Sequence, residues 1–351
     1  MGPYTGIDSY AYWGIESGGY KQGDPSVDQN IPFNKMKTLP PPKGQYTQSV
    51  ERTFDSLIPN CIFTEALTPG TGSLEMALRD PFLMLAAFSH KAVSGSWGTG
   101  TGVIDADFSD FDDEDTIWIQ YRNADKAGSN HIDRLLTGGK ITQYKLMVEP
   151  AKLLKEVVAI KMASFSDNTQ AMSCSNDFHN QAWGSGVGGW SNWDDSGLLD
   201  CGKSARELVI KWNAVDITGL KIQTMEMVID LPDESIQEFS DLEQTEHWRG
   251  AIDFTLTISG KVNDKTLLEE AEKTYENKAK QTLILYIDDT VGEEKYIQVT
   301  NVYVDSHDVV AIAPAGESSE ASVVFKGGED MAISYKGNFV DLPDPSALIT
   351  T

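Results

Sequence analysis

The residues with the clearest chemical spelling lie at 197–204. Gly197-Leu198-Leu199-Asp200-Cys201-Gly202-Lys203-Ser204 matches the phosphate-loop pattern GxxxxGK[ST]. Such a loop cradles phosphates with backbone N–H groups and a helix N-terminus, so it needs a buried strand before it and a helix after it. The preceding residues 189–196, GWSNWDDS, are too polar for a core strand, and the following ARELVIKWNAV alternates like a strand as much as a helix. Met227-Val228-Ile229-Asp230 resembles a Walker-B strand but belongs to an internal repeat. The triplet at Gly202 is read as a loop that spells a motif.

Other chemistry is equally sparse. The five histidines (His90, His131, His179, His247, His307) show no HExxH and no pairing at helical spacing. Ser185 sits in Gly-Ser-Gly without a strand–elbow–helix context. Residues 105–115, DADFSDFDDED, place seven acids in eleven positions. They lack the glycine and terminal glutamate of an EF-hand, so a solvated acidic loop is expected rather than a calcium site. Cys61, Cys174 and Cys201 have no CxxC spacing, which excludes a zinc ribbon; a Cys174–Cys201 bridge is a minor alternative to free thiols. No catalytic residue, metal-ligand set or cofactor is expected, and the chain reads as a non-enzyme.

The elements that would position any site come next. Residues 137–148, TGGKITQYKLMV, and 218–229, TGLKIQTMEMVI, are one segment written twice. A Thr-Gly turn leading into period-two alternation describes a strand with one buried face. Each copy soon meets a proline, Pro150 or Pro232, and then a second strand-like run at 155–163 or 251–259. Two copies indicate a duplicated hairpin in a sheet protein. Alternation puts Gln143, Lys145, Ala159, Lys161, Thr224, Glu226, Asp253, Thr255 and Thr257 on the polar face. Tyr144, Leu146, Val148, Ile160, Met225, Met227, Ile229, Phe254, Leu256 and Ile258 fall on the buried one.

Further strands are predicted at 47–54, 74–78, 116–121, 282–287, 295–304, 309–313, 321–325 and 331–335. A helix turn opens at Asp80-Pro81, and 264–281 reads as a capped amphipathic helix. Residues 1–45 read as an extended arm with little sheet of its own. Residues 46–335 form the β domain, with 165–203 as a long insertion, and 336–351 are a peripheral tail. The arm's Tyr10, Tyr12, Trp13 and Tyr20 favour an arm pinned on a neighbour over a floppy one, and the insertion's Trp183, Trp190 and Trp193 imply packing on its own body or on a partner. On the view that the arm docks on a neighbour, deleting residues 2–20 leaves a folded chain that no longer makes that contact.

Length and charge bound the rest. The 351 residues, 40% apolar with eight tryptophans, can bury a large core. A net charge of −25 disfavours gripping nucleic acid and serves either solubility or a functional negative surface. No leader pattern and no apolar run of membrane-spanning length is present, so synthesis and folding in a cytoplasm without membrane anchoring are expected.

The order of elements resembles the tail tube proteins of long-tailed bacteriophages and related archaeal viruses. The likeness runs from about Tyr12 to Tyr335. It rests on Trp13-Gly14-Ile15-Glu16-Ser17-Gly18-Gly19-Tyr20 and on Thr71-Gly72-Ser73-Leu74-Glu75-Met76-Ala77-Leu78 leading into Pro81-Phe82-Leu83. It rests also on Leu136-Thr137-Gly138-Gly139-Lys140-Ile141 and on Trp248-Arg249-Gly250-Ala251-Ile252-Asp253-Phe254-Thr255-Leu256-Thr257. The acidic loop and the insertion depart from the family pattern.

The resemblance implies a mainly β, sandwich- or barrel-like tube fold with two duplicated hairpins and one flanking α-helix. It implies a virion tail subunit in stacked, hexameric rings, partnered by itself and by tape-measure and other tail proteins. DNA would pass through the channel without specific binding, past lumen-lining Gln143, Lys145, Lys161, Thr224, Glu226, Asp253, Thr255 and Thr257. The alternative from another class is a monomeric β-sandwich module that binds a glycan or protein through the Trp-rich 183–193 loop. Because no preformed anion site is expected, ATP or GTP with magnesium at millimolar concentration should leave the melting temperature unchanged; a shift abolished by Lys203→Ala would reinstate the phosphate loop.

Overall fold

The computed structural model describes residues 10–16, 21–22, 31–32, 36–38, 45–51, 61–68, 70–78, 82–87, 90–95, 101–107, 115–124, 131–149, 152–167, 209–213, 215–216, 220–236, 246–262, 275–288, 294–307 and 320–338. The fold is mainly β. The first strands are β1 (Tyr10–Ile15), β2 (Ile31–Pro32), β3 (Met36–Thr38), β4 (Gln45–Glu51), β5 (Cys61–Thr68) and β6 (Gly70–Ala77). The short helix α1 (Phe82–Ala87) precedes β7 (His90–Gly95), β8 (Thr101–Asp107), β9 (Ile117–Ala124), β10 (His131–Val148), β11 (Lys155–Met162) and β12 (Ser164–Asp167). Then come β13 (Val209–Trp212), β14 (Val215–Asp216), β15 (Leu220–Asp230), β16 (Asp233–Ile236), β17 (Glu246–Arg249) and β18 (Asp253–Val262). The last three are β19 (Gln281–Asp288), β20 (Lys295–His307) and β21 (Glu320–Asn338).

The two sequence copies lie side by side. β10 and β15 pair antiparallel, with Tyr144 opposite Ile229, Leu146 opposite Met227 and Val148 opposite Met225. Leu146 and Met227 are also each other's counterparts in the repeat, so a local two-fold axis passes between them. β11 flanks β10, and β18 flanks β15. Both hairpins carry a bulge at matching positions, Ile141/Gln143 in one and Ile222/Thr224 in the other. Beyond them, β6 adds to β11 and β21 to β18. β20, β19 and β13 continue from β21 on one side, while its far half takes β8 and then β7.

Alternation decides what is buried. Tyr144, Leu146, Met225, Met227, Phe254 and Phe325 are each at most 5% exposed and share one core with Leu74, Val158, Ile160 and Ile258. The core extends to Leu83, Met84, Ala86 and Ala87 of α1 and to Ile117 and Ile119 of β9. Trp212 meets the Phe325 ring edge-on at 4.9 Å. Each such side chain contributes roughly 1.5–3 kcal/mol relative to exposure, which makes this packing the main source of cohesion.

Several elements differ from the sequence-based expectation. Thr137-Gly138 is no hairpin turn but lies inside the 18-residue β10. There Gly138 takes φ 64, and the pairing with β9 shifts register between Leu136 and Gly139. A Cβ on Gly139 would stand 2.8 Å from the Ile117 carbonyl oxygen, so the second glycine is fixed by close strand approach. The first part of the expected arm is part of the body: β1 pairs with β9, Ala11 opposite Tyr121 and Gly14 opposite Trp118. Trp13 is only 1% exposed within its own chain, so it is a core residue and not a subunit contact. Removing residues 2–20 would therefore remove β1 and part of the core, and a folded truncation is not expected.

Asp105–Asp107 belong to β8 rather than to an acidic loop, and 164–167 form β12 on β10 rather than the start of the insertion. The strands expected at 321–325 and 331–335 are one strand, β21, whose end at 336–338 pairs with β8 instead of forming a loose tail. Of the helix expected over 264–281, residues 275–277 are helical, Lys278 leaves with φ 49, and Gln281 already starts β19. Residues 264–274 and the strand expected at 309–313 lie outside the described residues, as do 168–208.

Phe254 is 2% exposed on the inner face of β18. Phe254→Ala should lower unfolding free energy by about 3–5 kcal/mol in a urea titration, because the surrounding strands cannot close over the gap.

Candidate functional site

The opposite face of the duplicated hairpins is the candidate site. Opposite pairs on adjacent strands form rows across it. One row runs Glu75–Val157–Lys145–Val228–Thr255–Lys326, through β6, β11, β10, β15, β18 and β21. The next runs Ala77–Lys155–Met147–Glu226–Thr257–Val324. On the other side lies Ser73–Ala159–Gln143–Asp230–Asp253. All nine polar-face residues expected from the sequence stand on this side: Gln143, Lys145, Ala159, Lys161, Glu226, Thr255 and Thr257 half-buried, Thr224 and Asp253 exposed.

Each lysine of this face has a carboxylate beside it. Lys145 Nζ lies 3.8 Å from Glu226 Oε1, and Lys155 Nζ lies 2.8 Å from Glu75 Oε1. Lys161 donates to Asp233 Oδ2 at 2.8 Å, tying β11 to the β16–β17 ribbon. Lys326 lies 4.0 Å from Asp305. Gln143 Nε2 donates to Asp230 Oδ1 at 2.5 Å, and Ser259 donates to Ser322 at 3.1 Å. The hydrogen bond that Lys155 donates to the Glu75 carboxylate holds its pKa above the ordinary lysine value against the opposing effect of burial. The four lysines are thus paired, while Asp230 and Asp253, opposite each other at one end of the face, have no ion pair among the described residues and leave it modestly acidic.

Lys145 and Glu226 occupy equivalent positions in the two copies. Because the two-fold passes beside them, identical residues there would face each other as like charges, which is destabilising across strands. The copies have opposite charges and attract.

A second polar cluster anchors the N-terminal strand. Glu16, 5% exposed, accepts the Gly138 N–H at 2.7 Å on Oε1. Its Oε2 accepts the Lys21 N–H at 2.9 Å and the Thr116 hydroxyl at 2.5 Å. The Glu16 N–H in turn donates to the Thr116 carbonyl at 2.8 Å. One carboxylate thus joins the end of β1, the start of β9 and the left-handed residue of β10. Sequence reasoning quoted Glu16 only inside a motif; an acid directly after Trp13-Gly14-Ile15, in an apolar strand, was the available signal.

No known protein family and no curated protein matches this sequence. Among solved structures, a chain in the virion of a native gene transfer agent particle aligns at 12% identity and TM-score 0.28, over 36% of this chain and 95% of that one. A chain in the tail of an empty gene transfer agent particle with C6 symmetry aligns at 15% and 0.27, over 36% and 94%. A chain in the baseplate of the anti-feeding prophage aligns at 10% and 0.26, over 36% and 89%. Scores this low assign neither fold nor function.

The remaining expected site residues are not brought to this face. Tyr10 and Tyr12 lie in β1, opposite Arg122 and Gln120 of β9. Tyr20, Trp183, Trp190, Trp193, residues 197–204, Cys174 and Cys201 lie outside the described residues. Among the described residues no group of three or more His, Cys, Asp or Glu could hold a metal, and no helix is long and apolar enough to cross a membrane.

Glu16→Ala strips the acceptor from three donors. It should cost about 2–4 kcal/mol of unfolding free energy, with Glu16→Gln losing less because one oxygen remains. Equal urea midpoints for wild type and Glu16→Ala would rule out the anchoring role.

Proposed function

We propose that this chain is a structural virion protein, a tail tube subunit that assembles with itself into stacked, hexameric rings enclosing a channel for DNA ejection. One observation carries the reading: the sheet built around the two-fold ends in strand edges without partners among the described residues. In the series β6–β11–β10–β15–β18–β21–β20, residues 70–74 of β6 pair only with β11, and 303–307 of β20 pair only with β21. Monomers blunt or cover such edges, whereas an assembling subunit leaves them for a neighbour. Seven alternating strands leave the two end strands pointing the same way, so the two edges would meet in parallel.

The polar face of that sheet would then line the channel, with Gln143, Lys145, Lys161, Thr224, Glu226, Asp253, Thr255 and Thr257 toward the lumen. Its ion pairs suit passage of a polyanion, since each ammonium is neutralised before DNA arrives and offers phosphates little net attraction. Tape-measure and other tail proteins are the expected further partners, and the chain would act without chemistry of its own, in the virion tail.

Negative-stain microscopy and light scattering of the purified chain test this. Rings or tubes with a central channel are expected. A uniform monomer would instead favour a binding module built on Trp183, Trp190 and Trp193.

A further inference from the structure

The two open strand edges do not stand level with each other. From Glu75 of β6, one row runs through Val157, Lys145, Val228, Thr255 and Lys326 to Tyr303 of β20. At that level β6 is already occupied. β11 pairs with Glu75 and Met76 from one side, so β3, which pairs Thr38 with Glu75 and Met36 with Met76, takes the other. Among the described residues, the open run of β6 is therefore 70–74. On β20 the order is reversed. β21 pairs with 295–300 and Val302 from one side, so β19, which pairs with β20 as far as Val302, takes the other. The open run there is 303–307.

Neither run is blunted. Gly70-Thr71-Gly72-Ser73-Leu74 and Tyr303-Val304-Asp305-Ser306-His307 contain no proline and no lysine, the residues that commonly protect an edge. Their faces also correspond. On β6, Thr71 and Ser73 are exposed on the hairpin face, opposite Lys161 and Ala159, while Leu74 is buried on the core side. On β20, Tyr303 stands opposite Lys326 on the hairpin face and Val304 is buried. The bulge between Val304 and Ser306 then returns Ser306 to the hairpin face, opposite Val324.

We propose that a second copy of the chain joins β6 in parallel through its β20, with Tyr303 beside Thr71, Val304 beside Gly72 and Ser306 beside Ser73. Period-two alternation allows only even displacements, because an odd one would turn Val304 to the polar face. The level position, Tyr303 beside Glu75, is closed by β3 and β19. Moving by two residues, to Ser73, still sets Ser306 against β3 and Val302 against β6 where β19 lies. Tyr303 beside Thr71 is the first position that clears both strands, and moving further would carry Tyr303 past the start of β6 at Gly70. Neighbouring copies are then offset by four residues, about 13 Å along the strands. A fixed stagger of this kind is what closing a sheet into a barrel requires. The joint uses two different edges, so it is head-to-tail and repeats from copy to copy. It rests on the tube reading and gives that tube a register.

Cysteine cross-linking of the full chain reads the register. Paired strands stand about 4.8 Å apart, within disulfide reach, whereas residues four positions out of register do not. Ser73→Cys with Ser306→Cys, and Thr71→Cys with Tyr303→Cys, are assembled under reducing conditions and then oxidised. Each pair should give a ladder of covalent oligomers on a non-reducing gel. The yield should exceed that of the level pair, Glu75→Cys with Tyr303→Cys, by about tenfold. Single-cysteine variants, which keep the native Cys61, Cys174 and Cys201, set the background. No cross-link above background from either staggered pair, or an equal yield from the level pair, overturns the register. Microscopy of the same preparations separates the two readings. Rings or tubes without staggered cross-links sink the joint alone, whereas a uniform monomer sinks both.

Discussion

The pairing of β10 with β15 is the interaction on which the rest of the structure depends. It joins two copies of one hairpin about a local two-fold, and every strand of the main sheet adds outward from that seam. Because the side-chain period of a strand is two, a one-residue slip at the seam would turn Tyr144, Leu146, Met225 and Met227 outward and bring Lys145 and Glu226 into the core. The register is fixed from both faces. Apolar residues interlock beneath, and Lys145 attracts Glu226 above at 3.8 Å. The matching bulges at Ile141/Gln143 and Ile222/Thr224 hold the same offset in each hairpin.

β10 also carries the second requirement. Its first half belongs with β9 and β12, its second with β11 and β15, so the strand must bend where the two meet. Gly138 supplies the left-handed residue and Gly139 the close approach to Ile117. The bend exposes the Gly138 N–H, which would be costly to bury unpaired, and the Glu16 carboxylate accepts it. The N-terminal strand is therefore part of how the central strand turns, not an appendage to a finished body.

What was legible in the sequence followed from periodicity. The repeat and its alternation located both hairpins, and the ten apolar positions assigned inward are buried. What was illegible depended on non-local contact. Thr137-Gly138 has the composition of a turn, and only the partner strands on either side reveal a bend within one strand. Trp13, in a stretch rich in glycine and tyrosine, gives no periodic signal and is buried because β9 lies beside it. Residues 237–245 separate β16 from β17, and their sequence has no alternation to mark the ribbon that follows. Repeats expose the pairing of their own copies; strands recruited from distant sequence leave no such trace.

Charge is where composition misled most. A net −25 invites the picture of a uniformly negative surface, yet the hairpin face pairs each of Lys145, Lys155, Lys161 and Lys326 with a carboxylate. At physiological ionic strength, fields from exposed charges fade over roughly 8 Å, so a passing polymer senses its nearest row of side chains rather than the sum over the chain. Local pairing, not total charge, therefore decides where a polyanion slides and where an anionic group holds. On the hairpin face every lysine meets a carboxylate, whereas Lys211 and Lys336 lie over the rings of Tyr286 and Tyr296. One net charge can thus present different local fields along one sheet, because the strands that carry its lysines place acids beside some of them and aromatic rings beside others.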